Sequence, residues 1–350
     1  MTRSDFIAPR IAAIGTANPP DRYTQDQFLD LFRVDDPRSR ALFRNSHIES
    51  RHLYLPPANG DGYADESPEE LIGKHLRGVL DMGARAVGAA LDMGELAPGD
   101  IDQLVTVTST GFLCPGISAH LVRAMGFRAD VHRLDIIGMG CNAALNGLAP
   151  AASYAGAHPG ARSLLLCCEV CSAAYVHDET MRTAVVNSLF GDGAAAAVLT
   201  TGNSETHPAV LGFESHIIPE AIDAMRFDTV GGKLSFFLDH NIPYVIGNNV
   251  RVPVMRLLDR FGLKQRNIAH WLVHSGGKKV IDSIKYNLGL TNHDVRHTRA
   301  ILRGFGNLSS ASVLFSLARL RDEQIAKDGD YGVMIAMGPG TSIETALLRW

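Results

Sequence analysis

"IDQLVTVTSTG" (residues 101–111) reads as a start signal, a short apolar strand and a turn of small residues. The same grammar returns as "IAHWLVHSGG" (268–277). At nearly equal spacing beyond each comes a second pair, "GMGCNAALNGL" (138–148) and "GFGNLSSASVL" (304–314). A third pair follows, "SLFGDGAAAAVL" (188–199) and "GVMIAMGPGTSIETALL" (332–348). Three landmarks in one order describe a duplicated αβ half, residues 1–203 and 204–350, joined through the looser "TTGNSETHPAVLG" (200–212). Around them, apolar runs such as "IAAIG", "SLLLCCEV" and "AAAAVLTT" alternate with helical stretches such as "DESPEELIGKHLRGVLDMGARAVGAALDMG". That alternation is the pattern of βαβ units about a buried sheet.

Composition agrees. The 350 residues are 46% hydrophobic with 34 glycines, enough for two cores of ordinary size. A net charge of −4 argues against nucleic acid as a partner. No apolar run reaches the roughly 18–20 residues of a membrane span, and "MTRSDFIAPRIAAIG" has no signal-peptide core, so no membrane partner and a cytoplasmic location are expected. Five cysteines, Cys114, Cys141, Cys167, Cys168 and Cys171, make no disulfide framework in a reducing compartment. Cys168 and Cys171 form a C-x-x-C, but no second pair accompanies it, and the stretch reads as a strand running into a loop. No metal site is expected.

The duplication puts Cys141 and Asn307 at equivalent strand-to-helix junctions, and His274 at the end of the strand matching "VTVTST". Each alone reads as packing, a strand-end polar group or a helix cap. At matched positions in two halves folded together, they meet where αβ sheets bind ligands, at strand carboxyl ends. A cysteine in the first turn of a helix is favoured as thiolate by the helix dipole, and a nearby imidazole can take its proton. Thiolate and thioester exchange acyl groups. Uncharged donors from His and Asn can hold the enolate left when a malonyl thioester loses CO₂.

The motifs "GMGCNA", "LFGDGAAAAVL", "WLVHSGGKKVID", "GFGNLSSASVLF" and "MGPGTSIETALL" resemble, in order and spacing over essentially the whole chain, the type III polyketide synthases of the thiolase fold. The resemblance implies an α/β, thiolase-like fold whose duplicated halves form a five-layered αβαβα core. It implies an acyltransferase of malonyl-CoA with no cofactor beyond CoA thioester substrates. Cys141 becomes the acyl carrier, with His274 and Asn307 promoting decarboxylation. Phe190 and Phe236 match two aromatic gatekeepers between a CoA tunnel and an inner cavity, while Ala174 stands where plant members carry a cavity-lining Thr. Ser109, Thr110 and Cys114 are further cavity candidates, and "TSTGFLCPGISAH" matches the segment that reaches across a homodimer axis to border the neighbour's cavity, which places Cys114 near that interface. The plant basic triplet for CoA is not reproduced. Arg40, Arg44 and Arg51, at i, i+4 and i+11, stand in as one helical face, with Lys279 as a further candidate for the CoA phosphates. Further likeness, in "CSAAYVHDETMRTAVVNSLFGDG" and "LSFFLDHNIPYVIG", is to members that use malonyl-CoA alone and release an eight-carbon aromatic thioester, sometimes with helper enzymes completing the ring. A ketoacyl synthase acting on acyl carrier protein uses the same three residues and stands as one alternative, though "HSGG" departs from the His-Gln-Ala-Asn usual there; a type III polyketide synthase with another starter or product is the other.

Overall fold

The computed structural model describes residues 7–56, 65–176, 178, 180–202 and 207–350. The first half runs β1 (Arg10–Ala17), β2 (Arg22–Thr24), α1 (Gln25–Leu31), α2 (Pro37–Arg44), β3 (Ser50–His52), α3 (Pro68–Gly78) and α4 (Ala84–Met93). It continues with β4 (Gln103–Thr108), α5 (Ile117–Met125), β5 (His132–Ile137), α6 (Ala143–Ala157), β6 (Arg162–Glu169), α7 (Met181–Leu189) and β7 (Gly193–Thr200). The second half holds β8 (Ala209–Ile217), a hairpin of β9 (Met225–Val230) and β10 (Lys233–Leu238), then α8 (Ile242–Arg260), β11 (Ile268–Val273) and α9 (Lys278–Leu288). It closes with α10 (Arg296–Phe305), α11 (Ser312–Glu323), β12 (Tyr331–Gly338) and β13 (Ser342–Arg349).

The sheet order is β11-β12-β13-β8-β1-β7-β6-β4-β5. From β1 outward, β7 and β6 are antiparallel and then β4 and β5 parallel; from β8 outward, β13 and β12 are antiparallel and then β11 parallel. The two halves therefore repeat one strand plan, and they touch edge to edge through the single pair Arg10 and Ala209. The plan refines the third sequence echo: β13 is the counterpart of β7, so of 332–348 only the part from "GPGTSIETALL" onward is the match. The division expected at 203/204 lies outside the described residues.

Alternation along each strand builds the layers. In β6, Leu165 and Cys167 face a central core, while Leu164, Leu166 and Cys168 face an outer one. The central core contains α6 and α11, packed between Val105, Val107 and Ala197 of one half and Leu272, Met334 and Ala346 of the other. The outer cores are covered by α4 and α5 on one side and by α8 and α9 on the other. The result is α-β-α-β-α. Close packing of its buried face explains why α6 is written in Ala and Gly there: a Cβ at Gly147 would lie 2.7 Å from Leu165 and 2.8 Å from Val107. Among the described residues no helix is long and apolar enough to cross a membrane.

Candidate active site

Cys141 owes its place to two glycines. Beyond β5 the chain reverses through Gly138 (φ +83°) and Gly140 (φ +76°) into a single 3₁₀ turn, Gly140–Asn142, that leads into α6. A side chain at 140 would meet Pro339 at 2.1 Å, so only glycine fits. The Gly140 N–H donates to Ser109 Oγ at 2.8 Å, which fixes the turn to the end of β4. Cys141 is left at the helix start, 8% exposed.

Asn307 follows α10 through Gly306 (φ +74°). Its backbone pairs with the residues around Phe190: Asn307 N–H donates to Leu189 O at 2.8 Å, and Gly191 N–H donates to Asn307 O at 3.0 Å. The side-chain Oδ1 accepts the Ser309 N–H at 2.8 Å. That bond fixes the amide rotamer and leaves the NH₂ as the free donor, in hydrogen-bonding reach of the Cys141 sulfur. The Cys141 thiol itself points to Ser309 Oγ at 3.5 Å. His274 immediately follows β11, with its backbone N–H donating to Ile335 O at 2.8 Å. Its ring is buried, and Nδ1 meets no hydrogen-bond partner among the described residues, so no carboxylate orients it.

All three residues line one cavity of about 770 Å³. Cys141, Phe190 and Phe236 also line a second, inner pocket of about 20 Å³. The two rings meet edge to face, centroids 5.5 Å apart at 84°, and form the wall between outer and inner space. Ser109, Thr110 and Ala174 all line the inner pocket, beside Cys171 and Tyr175. Among the described residues no Asp, Glu, Lys, Arg or His is in its lining.

Burial dominates the electrostatics. It pushes the Cys141 thiol up to about 12, aided by the charge of Glu169, while donors from Ser309 and Asn307 pull it back in part. Burial also drops His274 to about 3. Burial thus opposes the thiolate expected from the helix dipole and favours neutral thiol and neutral imidazole. Glu169 was missed in the sequence because it reads as the end of a core strand. It is fully buried, accepts from Ser109 N–H (2.9 Å), Ser310 Oγ (2.5 Å) and Ser309 Oγ (3.3 Å), and ties both halves together under the sulfur. Burial raises its pKa above the usual carboxylate range.

The basic face expected from Arg40, Arg44 and Arg51 does not exist. Helix α2 ends at Arg44, and Arg51 lies on β3. Arg51 is 1% exposed and donates to Tyr175 Oη (2.9 Å), Phe190 O (2.8 Å), Asn187 O and Gln25 Oε1 (2.9 Å), with its guanidinium 4.7 Å over the Phe28 ring. It supports the gate from within and cannot reach a solvent phosphate. Arg40 pairs with Asp30 (3.6 Å) and Arg44 with Asp26 (3.1 Å), off the cavity. The opposite face of α2, Arg38, Ala41, Leu42 and Asn45, lines the outer cavity with Lys278 and Lys279. Lys279 thus lines the outer cavity, together with Arg38 and Lys278, two cations that were not singled out from the sequence. Cys114 lines neither cavity and is exposed, two residues from Phe112, which is 72% exposed. Cys168 and Cys171 are free and buried, and among the described residues no group of three metal-binding side chains occurs.

The chain was compared with known proteins. Residues 69–203 match the N-terminal domain of chalcone and stilbene synthases, and residues 213–350 match the C-terminal domain. A 3,5-dihydroxyphenylacetyl-CoA synthase of Streptomyces toyocaensis is 52% identical over 98% of this chain and 90% of that one. Its namesake in Amycolatopsis orientalis is 50% identical over 97% and 93%. Among solved structures, PKS-I of the brown alga Ectocarpus siliculosus superposes with a TM-score of 0.92 at 26% identity, covering 99% of this chain and 100% of that one. The 1,3,6,8-tetrahydroxynaphthalene synthase of Streptomyces coelicolor A3(2), a bacterial type III polyketide synthase, does so at 0.89 and 28%, covering 97% and 99%.

Proposed function

The chain belongs to the chalcone and stilbene synthase family of type III polyketide synthases, and from that premise we propose that it builds 3,5-dihydroxyphenylacetyl-CoA from four malonyl-CoA units. The observation that carries the reading is the shared wall. Cys141, His274 and Asn307 open on one cavity, and behind Cys141 lies a pocket with no charged side chain in its lining among the described residues.

In the proposed cycle the Cys141 thiol gives its proton to His274 as its sulfur attacks the malonyl thioester, and the proton passes on to the departing CoA thiolate. A second malonyl-CoA then loses CO₂. The electron pair of the broken bond moves onto the thioester as an enolate, whose oxygen is held by N–H donors of His274 and Asn307. Neither donor carries a negative charge beside that enolate. Its carbon attacks the acyl group on Cys141, the C–S bond breaks, and the chain is two carbons longer. Arg38, Lys278 and Lys279 at the outer cavity suit the CoA phosphates.

Ring chemistry selects the starter. The product ring closes only if the carbon farthest from the thioester attacks the third carbon. An acetyl starter leaves a methyl beside one ketone there, a poor nucleophile. A malonyl starter leaves a carboxylate, and its loss as CO₂ supplies the carbanion at that carbon. The uncharged inner pocket offers that carboxylate no salt partner, and desolvation favours its departure. Loss of water from the aldol gives the aromatic ring, a step helper enzymes accelerate in this reading. The enzyme is proposed to act as a homodimer joined at the edge strand β5, where Leu134 and Ile137 are exposed, with Phe112 and Met139 exposed in the segments after β4 and β5. Feeding labelled acetyl-CoA with unlabelled malonyl-CoA tests the starter. The expected product carries no acetyl label, and efficient incorporation into the ring would overturn the proposal.

A further inference from the structure

The inner pocket has room for about one water-sized sphere, whereas an eight-carbon chain is many times larger. The wall between the two spaces must therefore part as the chain grows. Its two halves are held differently. Phe190 is fixed, because its carbonyl accepts from both Arg51 and Tyr175 and its backbone pairs with Asn307. Phe236 rides on the β9–β10 hairpin, a two-stranded sheet separate from the nine-stranded one. Two strands alone are marginally stable. The hairpin is the wall that gives.

What holds it lies on its far side. In the hairpin register Phe236 faces Phe227, while Phe237 faces Arg226. One face thus carries the gate, and the other carries Phe237, Arg226 and Asp228. Arg182, in the first turn of α7, donates to Asp228 Oδ2 at 2.5 Å, and Arg226 Nε donates to Asp228 Oδ1 at 2.9 Å. Both guanidinium groups stack on Phe237, 5.0 and 4.2 Å from its ring centre. A further ion pair, Lys233 with Asp65, sits at the hairpin's turn and not beside the gate. Since α7 leads directly into Phe190, the Arg182–Asp228 contact joins the element before one gatekeeper to the element bearing the other.

We propose that Arg182, Arg226, Asp228 and Phe237 form a latch that sets how far Phe190 and Phe236 separate, and thereby how much chain the inner pocket accepts before release. They are positioning residues, touching neither substrate nor Cys141. The proposal rests on the chain-building reading above. The latch side chains are partly solvated, 37% for Arg182, 40% for Arg226 and 29% for Asp228. An ion pair so exposed is weak enough to open during turnover and is screened by salt.

The test compares Arg182→Met, Asp228→Asn and Arg182→Lys with the parent enzyme, fed malonyl-CoA alone. It reads the ratio of ring product to shorter released chains beside the rate of Cys141 acylation. The first two variants are expected to lower the ratio about three- to fivefold, with acylation unchanged, and Arg182→Lys to restore most of it. Raising salt from about 0.05 M to about 1 M is expected to lower the parent's ratio and leave that of Arg182→Met flat. A parent ratio in both variants at every salt concentration would overturn the latch, as would a proportional fall of acylation and product together. A parent enzyme making a different ring overturns the product assignment alone, and the latch is then read on that product.

Discussion

Burial favours the neutral thiol of Cys141 and the neutral imidazole of His274 on the wall they share, and the magnitudes say why. Raising a thiol from 9.0 to about 12 corresponds to roughly 4 kcal/mol, whereas a helix dipole returns at most about 2 kcal/mol. The reactive form is then a small fraction that grows as pH rises toward the raised value. Alkylation of Cys141 by iodoacetamide, followed by peptide mapping, is expected to accelerate about tenfold per pH unit between roughly pH 6 and pH 9. A plateau below about pH 7 would mean a preformed thiolate–imidazolium pair. The meeting of Cys141, His274 and Asn307 on one cavity was legible because each is tied to a landmark of the internal duplication. Arg51 was not. Its spacing from Arg40 and Arg44 suggested one helical face, but α2 stops at Arg44 and the backbone turns through His47 at φ +63°. The groups that hold it, Gln25, Tyr175, Asn187 and Phe190, come from up to 139 residues away. No local pattern announces a cation buried by such distant partners.

Strand β5 has the opposite character to its neighbours. It pairs with β4 on one side only and ends the nine-stranded order, and four of its six residues are exposed where β4 and β6 are buried. An unpaired edge bearing Leu134 and Ile137 is a template for a second chain. The parent enzyme is expected to scatter light as two chains at micromolar concentration, and Leu134→Arg to shift it toward one. A parent mass of one chain would contradict the homodimer. At this scale the sequence was informative where elements are periodic. The buried strands and α6 declare themselves by apolar runs and small residues. The β9–β10 hairpin does not, because its alternation of Phe227 and Phe236 with Arg226 and Phe237 serves a gate and an ion-pair cluster at once. The third echo slipped by a strand for a related reason: β12 and β13 are both apolar, and only topology tells which is the mate of β7.

Two repeated half-sheets meeting at Arg10 and Ala209 bring both helix-start junctions, Cys141 and Asn307, to one cavity, and neither half alone contains the chemistry. Glu169, bonded to serines from both halves, fixes that union beneath the sulfur. The fold was legible as a duplication because the landmarks keep their order. The division into an outer cavity and a small uncharged pocket was not, since it depends on how Phe190 and Phe236 meet across the halves. What the enzyme makes from a single substrate decides its function. Mass spectrometry of the products formed from malonyl-CoA alone is the direct measurement. The expected result is 3,5-dihydroxyphenylacetyl-CoA, lost when Cys141 is replaced by Ala. A naphthalene product, short chains only, or unchanged product from Cys141→Ala would contradict it.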